Sequence, residues 1–103
     1  MPFQYNFEWD PAKARSNLKK HGVSFETAVA VFRDPQALTV FDEEHDEDED
    51  RWVTLGAVEE EGLLVVIHTF REETSRQEIT IRMISARRAT RRERRQYEDT
   101  HEA

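Results

Sequence analysis

Cysteine is absent from the 103 residues, which excludes a disulfide framework and thiolate metal sites. A reducing, cytoplasmic setting is the expectation. Glycine and proline are scarce, with three of each. Gly22, Gly56 and Gly62 stand alone, so no glycine-rich loop can cradle a phosphate, and no Pro/Gly linker divides the chain. The longest apolar run, Leu63–Ile67, is far too short to cross a membrane. Met1–Asn6 lacks the basic start and apolar core of a secretory signal. Positive charge is also in deficit: the net charge is −7, which by itself argues against phosphate ligands.

The composition is otherwise that of a folded domain with a charged surface, 37% hydrophobic and 36% charged. The length predicts a single domain over residues 1–103. Its charge is segregated. Eight acids lie between Asp42 and Asp50, and without them the chain would carry +1. Seven arginines against one acid occupy Arg82–Arg95. A partner feels this local field rather than the total.

Phe7-Glu8-Trp9 reads as a short strand. Asp10-Pro11 opens a helix to about Lys20, with Asp10 as cap and proline in the first turn. Ala14, Leu18 and His21 share one side, and Gly22 suits a left-handed stop. Ser24 caps a second helix carrying Phe25, Ala28, Val29 and Phe32 at the spacing of a buried face. Period two then predicts strands over Ala37–Phe41, Trp52–Val58, Leu63–Phe70 and Glu78–Ser85, with Arg71–Gln77 a polar loop. The third of these is apolar on both faces and therefore central. Thr90-x-x-Glu93 is a capping box for a last helix, whose only large apolar residue is Tyr97. The order predicts an α+β fold: two N-terminal helices on an antiparallel sheet of about four strands, with a C-terminal helix.

Two clusters can carry chemistry. If the last two strands form a hairpin, Arg71 falls near Gln77 or Glu78, with His68 and Thr69 close by. Arg82 projects from the strand, and Ser85, Arg87 and Arg88 follow at its end. Arginine forks match phosphate oxygens; equally, these side chains make a solubilising surface paired with Glu72, Glu73 and Glu78. Lys20-His21 at a helix end suits phosphate binding and proton transfer, or simply the helix dipole. Metal sites look poor. Asp42-x-Glu44-x-Asp46-x-Asp48 imitates a calcium loop, but Glu47 and Val53 stand where that loop needs glycine and glutamate. His21, His45, His68 and His101 show no paired ligand spacing. No metal or other cofactor is expected, and no nucleophile motif suggests covalent catalysis.

The sequence resembles the BrnT toxin family. The resemblance is carried by Phe7-Glu8-Trp9-Asp10, Lys13, Asn17, Lys20-His21-Gly22-Val23-Ser24-Phe25, Ala28 and Phe32-x-Asp34-Pro35. It continues through Arg51, Leu55-Gly56, Thr69-x-Arg71 and Arg82-x-Ile84-Ser85-Ala86-Arg87-x-Ala89 to Glu93 and Tyr97. It departs from the family in the acidic stretch 42–50 and in the long, charged segment Arg71–Gln77. The resemblance implies a RelE-like fold and a ribonuclease that inhibits translation. It also implies a BrnA-like ribbon-helix-helix antitoxin, a toxin–antitoxin heterotetramer, and operator DNA bound only through the antitoxin.

Resemblance and cluster together suggest metal-independent cleavage by 2′-hydroxyl attack. In that scheme Arg71, Arg82 and Arg87 hold the scissile phosphate, Arg51 supports it and Ser85 orients it. Lys20 and His21 move protons or neutralise charge. Trp52 stacks a base, and Thr69, Arg88 and Tyr97 contact RNA. Two other classes stay open. One is a non-catalytic protein-interaction module. The other is a DNA-binding regulator using the arginine-rich helix, although no DNA-binding motif is recognisable.

Overall fold

A computed structural model of the chain describes residues 4–43 and 50–100. Residues 44–49, with His45 and the calcium-like spacing, and His101 lie outside the described residues.

The elements run β1 (Gln4–Glu8), α1 (Pro11–His21), α2 (Phe25–Ala28), a 3-10 turn (Val29–Arg33), β2 (Leu38–Asp42), β3 (Arg51–Val58), β4 (Gly62–His68), β5 (Arg71–Glu73), β6 (Glu78–Arg88) and α3 (Arg91–Thr100). Local chemistry sets the helix ends as expected. The Asp10 carboxylate accepts the Ala12 N–H at 3.2 Å, and Gly22 closes α1 at φ 70°, a conformation glycine adopts without strain. Ser24 Oγ accepts the Thr27 N–H at 3.1 Å. In α3, Glu93 accepts the Thr90 N–H at 2.8 Å and the Glu93 N–H returns to Thr90 Oγ1 at 3.2 Å, a closed capping box.

The expected second helix is shorter than its apolar spacing suggests. It tightens after Ala28 into the 3-10 turn, which drives Val31 against the sheet at Gly56. A Cβ on Gly56 would lie 2.9 Å from the Val31 carbonyl oxygen, so a bare backbone is what permits this approach. The α1 face differs too. Leu18 is 51% exposed, and the residue that α1 buries is Asn17.

The sheet corrects the expected one in number and sense. It has six strands in the order β1-β6-β4-β3-β2, with β5 also beside β6. It is mixed: β1 runs parallel to β6 from Gln4 opposite Glu78 to Glu8 opposite Arg82, and the other pairings are antiparallel. The supposed loop 71–77 contributes β5 and a turn. Arg71 therefore stands opposite Thr80, rather than beside Gln77 or Glu78. Strand β6 also continues past Ser85, so Arg87 and Arg88 belong to it. A register shift at Ile67/His68 marks a bulge between β4 and β6. As expected, β4 lies inside the sheet, with Leu63–Val66 buried.

The main core joins Val23, Phe25, Ala28 and Val31 to Leu64, Val66, Ile79, Ile81 and Met83. On the opposite sheet face Leu55, Leu63 and Val65 form a smaller cluster capped by Ala89 and Tyr97. This side of the sheet also bears α3.

Candidate functional site

Strand alternation gathers the first set of groups. Ile79, Ile81 and Met83 face the helices, so Thr80 and Arg82 point the other way. Parallel pairing places Glu8 beside Arg82, and β5 places Arg71 beside Thr80. The Thr69 N–H donates to the Arg82 carbonyl at 3.0 Å, fixing the bulged junction. Together Glu8, Asp50, Thr69, Phe70, Arg71, Thr80 and Arg82 line a hollow of about 260 Å³. Phe70, 44% exposed, carries this surface to Trp52 at a ring separation of 6.4 Å, and Trp52 meets Phe41 edge-on at 5.1 Å. Arg51 opposes Asp42 at the end of β3, next in sequence to Asp50.

Lys20, His21 and Ser85 gather elsewhere. With Lys13, Ser16, Asn17 and Ile84 they line a shallower hollow of about 200 Å³ between α1 and β6. Asn17 forms its floor. Its side-chain amide donates to the carbonyls of Val23 at 2.9 Å and Ala86 at 2.8 Å, and its Oδ1 accepts the Ala86 N–H at 3.0 Å. The two hollows flank one strand, about 10 Å apart along it.

The remaining expected site residues hold the structure together. Arg87 forks onto Glu93 with bonds of 2.8 and 2.9 Å, and the pair is only partly exposed. The guanidinium holds the Glu93 carboxyl down at about 2, helped by the Thr90 backbone and despite some burial. Arg88 donates to the Glu61 carbonyl at 3.0 Å and meets its carboxylate at 3.4 Å. Tyr97 donates to Asp34 at 2.6 Å, and this bond pushes the phenol up to about 12. Arg87 is thus about 15 Å along β6 from Arg82, and does not converge with Arg71 and Arg82. Alongside α3, Leu38, Val40, Val53, Leu55 and Val65 line an apolar groove of about 360 Å³ with Glu93, Gln96 and Thr100.

The imidazole expected beside Arg71 is not there. His68 is 1% exposed and sits edge-on to Phe32 at 4.9 Å. Its Nδ1 lies 2.9 Å from the Thr69 carbonyl oxygen. A carbonyl only accepts, so Nδ1 carries the hydrogen. Nε2 then accepts from the Thr54 hydroxyl at 2.7 Å, and Thr54 accepts from Thr39 at 2.9 Å. Burial lowers the His68 pKa below 6.5, against the backbone bond to Thr69. This is a neutral, fully engaged core histidine.

The sequence profile described as "Ribonuclease toxin, BrnT, of type II toxin-antitoxin system" matches residues 9–93. The chain belongs to the BrnT family. None of the curated proteins matches it. Among solved structures, the Brucella abortus ribonuclease toxin BrnT is similar, with a TM-score of 0.61 and 22% identity over 85% of this chain and 99% of that one. That likeness extends to the α+β fold with its mixed sheet.

Of the expected site residues, the fold brings Thr69, Arg71 and Arg82 together in this BrnT-family chain, and Lys20, His21 and Ser85 together separately. Sequence reasoning missed Glu8, Asp50, Phe70, Thr80 and Lys13. Thr80 was accessible, because it shares strand parity with Arg82. Glu8 was not, since its place depends on a strand pairing roughly seventy residues away.

Proposed function

We propose that this chain is one toxin domain, residues 1–103, that cleaves RNA in the cytoplasm and so inhibits translation. The convergence of Arg71 and Arg82 with Thr69 in one hollow, beside exposed Phe70 and half-buried Trp52, carries the reading. Two guanidinium groups suit a phosphate whose charge grows as the 2′-oxygen attacks it, and such charge stabilisation is usually the largest catalytic contribution. Thr69 and Thr80 orient that phosphate, Arg51 adds positive charge at its rim, and Trp52 with Phe70 stacks neighbouring bases. Lys20, His21 and Ser85 take an adjoining phosphate across β6 rather than the scissile one. Arg87, Arg88 and Tyr97 support the sheet and α3. The reaction is metal-independent in this reading. A BrnA-like ribbon-helix-helix antitoxin silences the toxin in a heterotetramer, through which alone operator DNA is bound.

Expression of the wild type and of Arg82→Ala without antitoxin tests the reading. Growth arrest with RNA degradation from the wild type, lost in the variant, is expected. Intact RNA with a folded wild type would refute it. The second reading, a module that binds a protein partner without turnover, draws on the apolar groove beside α3. A wild type that binds antitoxin and never cleaves RNA would establish it.

A further inference from the structure

The arginines and threonines of the Arg71/Arg82 hollow supply charge and orientation but no proton acceptor for the 2′-hydroxyl. Lys20 and His21 line the other hollow, and His68 is buried with both ring nitrogens engaged. Among the described residues, the acceptors that line the hollow are two carboxylates, Glu8 and Asp50. Glu8 ends a hydrogen-bonded strand and pairs in register with Arg82. Neighbouring parallel strands lie about 4.8 Å apart, so a phosphate on Arg82 brings its ribose within reach of Glu8. The Glu8 side chain is exposed, and no hydrogen bond occupies it among the described residues. A general base needs this placement: beside the group that binds the substrate, open to it, and held by a rigid element.

We propose that Glu8 is the general base of this site, an inference that rests on the ribonuclease reading above. A Glu8 carboxylate oxygen takes the 2′-hydroxyl proton as the 2′-oxygen bonds to phosphorus. The bond from phosphorus to the 5′-oxygen breaks, and its electron pair stays on that oxygen. Arg71 and Arg82 hold the phosphate charge throughout. The departing 5′-oxygen takes a proton from water in the open hollow, and the proton on Glu8 neutralises the hydroxide formed. The products are a 2′,3′-cyclic phosphate and a 5′-hydroxyl. Among the described residues, the charged groups that line the hollow with Glu8 are Arg82 from β6, Arg71 from β5, and Asp50 preceding β3.

The test is cleavage of a short single-stranded oligoribonucleotide by the purified full chain, with kcat and KM followed against pH. Glu8→Gln is expected to lower kcat by about 10²–10³-fold, leave KM within about threefold, and abolish the acid limb of the pH profile. Glu8→Asp keeps that limb while slowing the reaction at least about tenfold, and it decides the matter should Glu8→Gln unfold. Cleavage by Glu8→Gln or Glu8→Asp at the wild-type rate, or a loss carried wholly by Asp50→Asn, overturns the role of Glu8 while the ribonuclease reading stands. A folded wild type without cleavage overturns both.

Discussion

At Asn17 a side-chain amide takes the place of a neighbouring strand. Strand β1 pairs with β6 only as far as Arg82, which leaves the Ala86 N–H and C=O without a strand on that side. Asn17 satisfies both, and ties in Val23 as well. Its loss would leave buried backbone groups unpaired, at about 1–3 kcal/mol. Asn17→Ala should therefore lower unfolding free energy by about 2–3 kcal/mol in urea titrations, whereas Leu18→Ala, at an exposed site, should change it little. The sequence suggested the reverse order of importance. Hydrophobic spacing ranks Leu18 above Asn17, because a polar residue's buried partners are invisible until distant backbone meets it. His68 misled for a similar reason: an imidazole near arginines reads as available, although strand parity with Val66 and Leu64 turns it into the core.

Helix α3 shows what an element with few apolar residues needs in order to stay docked. Its capping box, the Arg87–Glu93 fork and the Tyr97–Asp34 bond attach it to β6 and to the turn before β2. Asp34 also accepts the Ala57 N–H at 2.8 Å, so one carboxylate joins α3 to β3. Glu93 gives this attachment a pH dependence. Its folded pKa of about 2 lies below the ordinary 4.5. The contribution is complete above 4.5 and disappears as pH falls toward 2. Because the pair is partly exposed, its worth is about 1 kcal/mol. Glu93→Gln should remove about that much stability at neutral pH and flatten this part of the pH–stability curve; an unchanged slope below pH 4.5 would contradict the assignment. The capping box was legible because it is local and has a fixed spacing. Strand β5 was not, since Arg71-Glu72-Glu73 has no apolar alternation and is a strand only because β6 passes beside it.

Taken whole, the molecule carries its charge in opposing blocks. The acids of 42–50 turn a chain of about +1 into one of −7, and their field opposes approach of RNA whatever their conformation. Replacing those eight acids with asparagine and glutamine should tighten RNA binding at low salt by at least about tenfold. The gain should shrink as salt rises and the Debye length shortens. Fluorescence anisotropy with the oligoribonucleotide, across a salt series, measures this; equal affinity at every salt would show that the block is electrostatically silent. At this scale the fold class and family were legible, because helix signals, period-two strands and the residues of the BrnT pattern recur in order along the chain. The candidate site was only half legible, since it is assembled across β1, β5 and β6, and the β1–β6 pairing that brings Glu8 to Arg82 is the least local among the described strands.

That same pairing has a consequence for the order of events during synthesis. Strand β1 is synthesised well before its hydrogen-bonding partner in the sheet, residues 78–82, which follows it by some seventy residues. Loop closure over so long an interval is entropically costly until the intervening β4–β6 hairpin exists to receive the strand. Until then Glu8 and Arg82 stay apart, and the hollow that they line with Arg71 is not assembled.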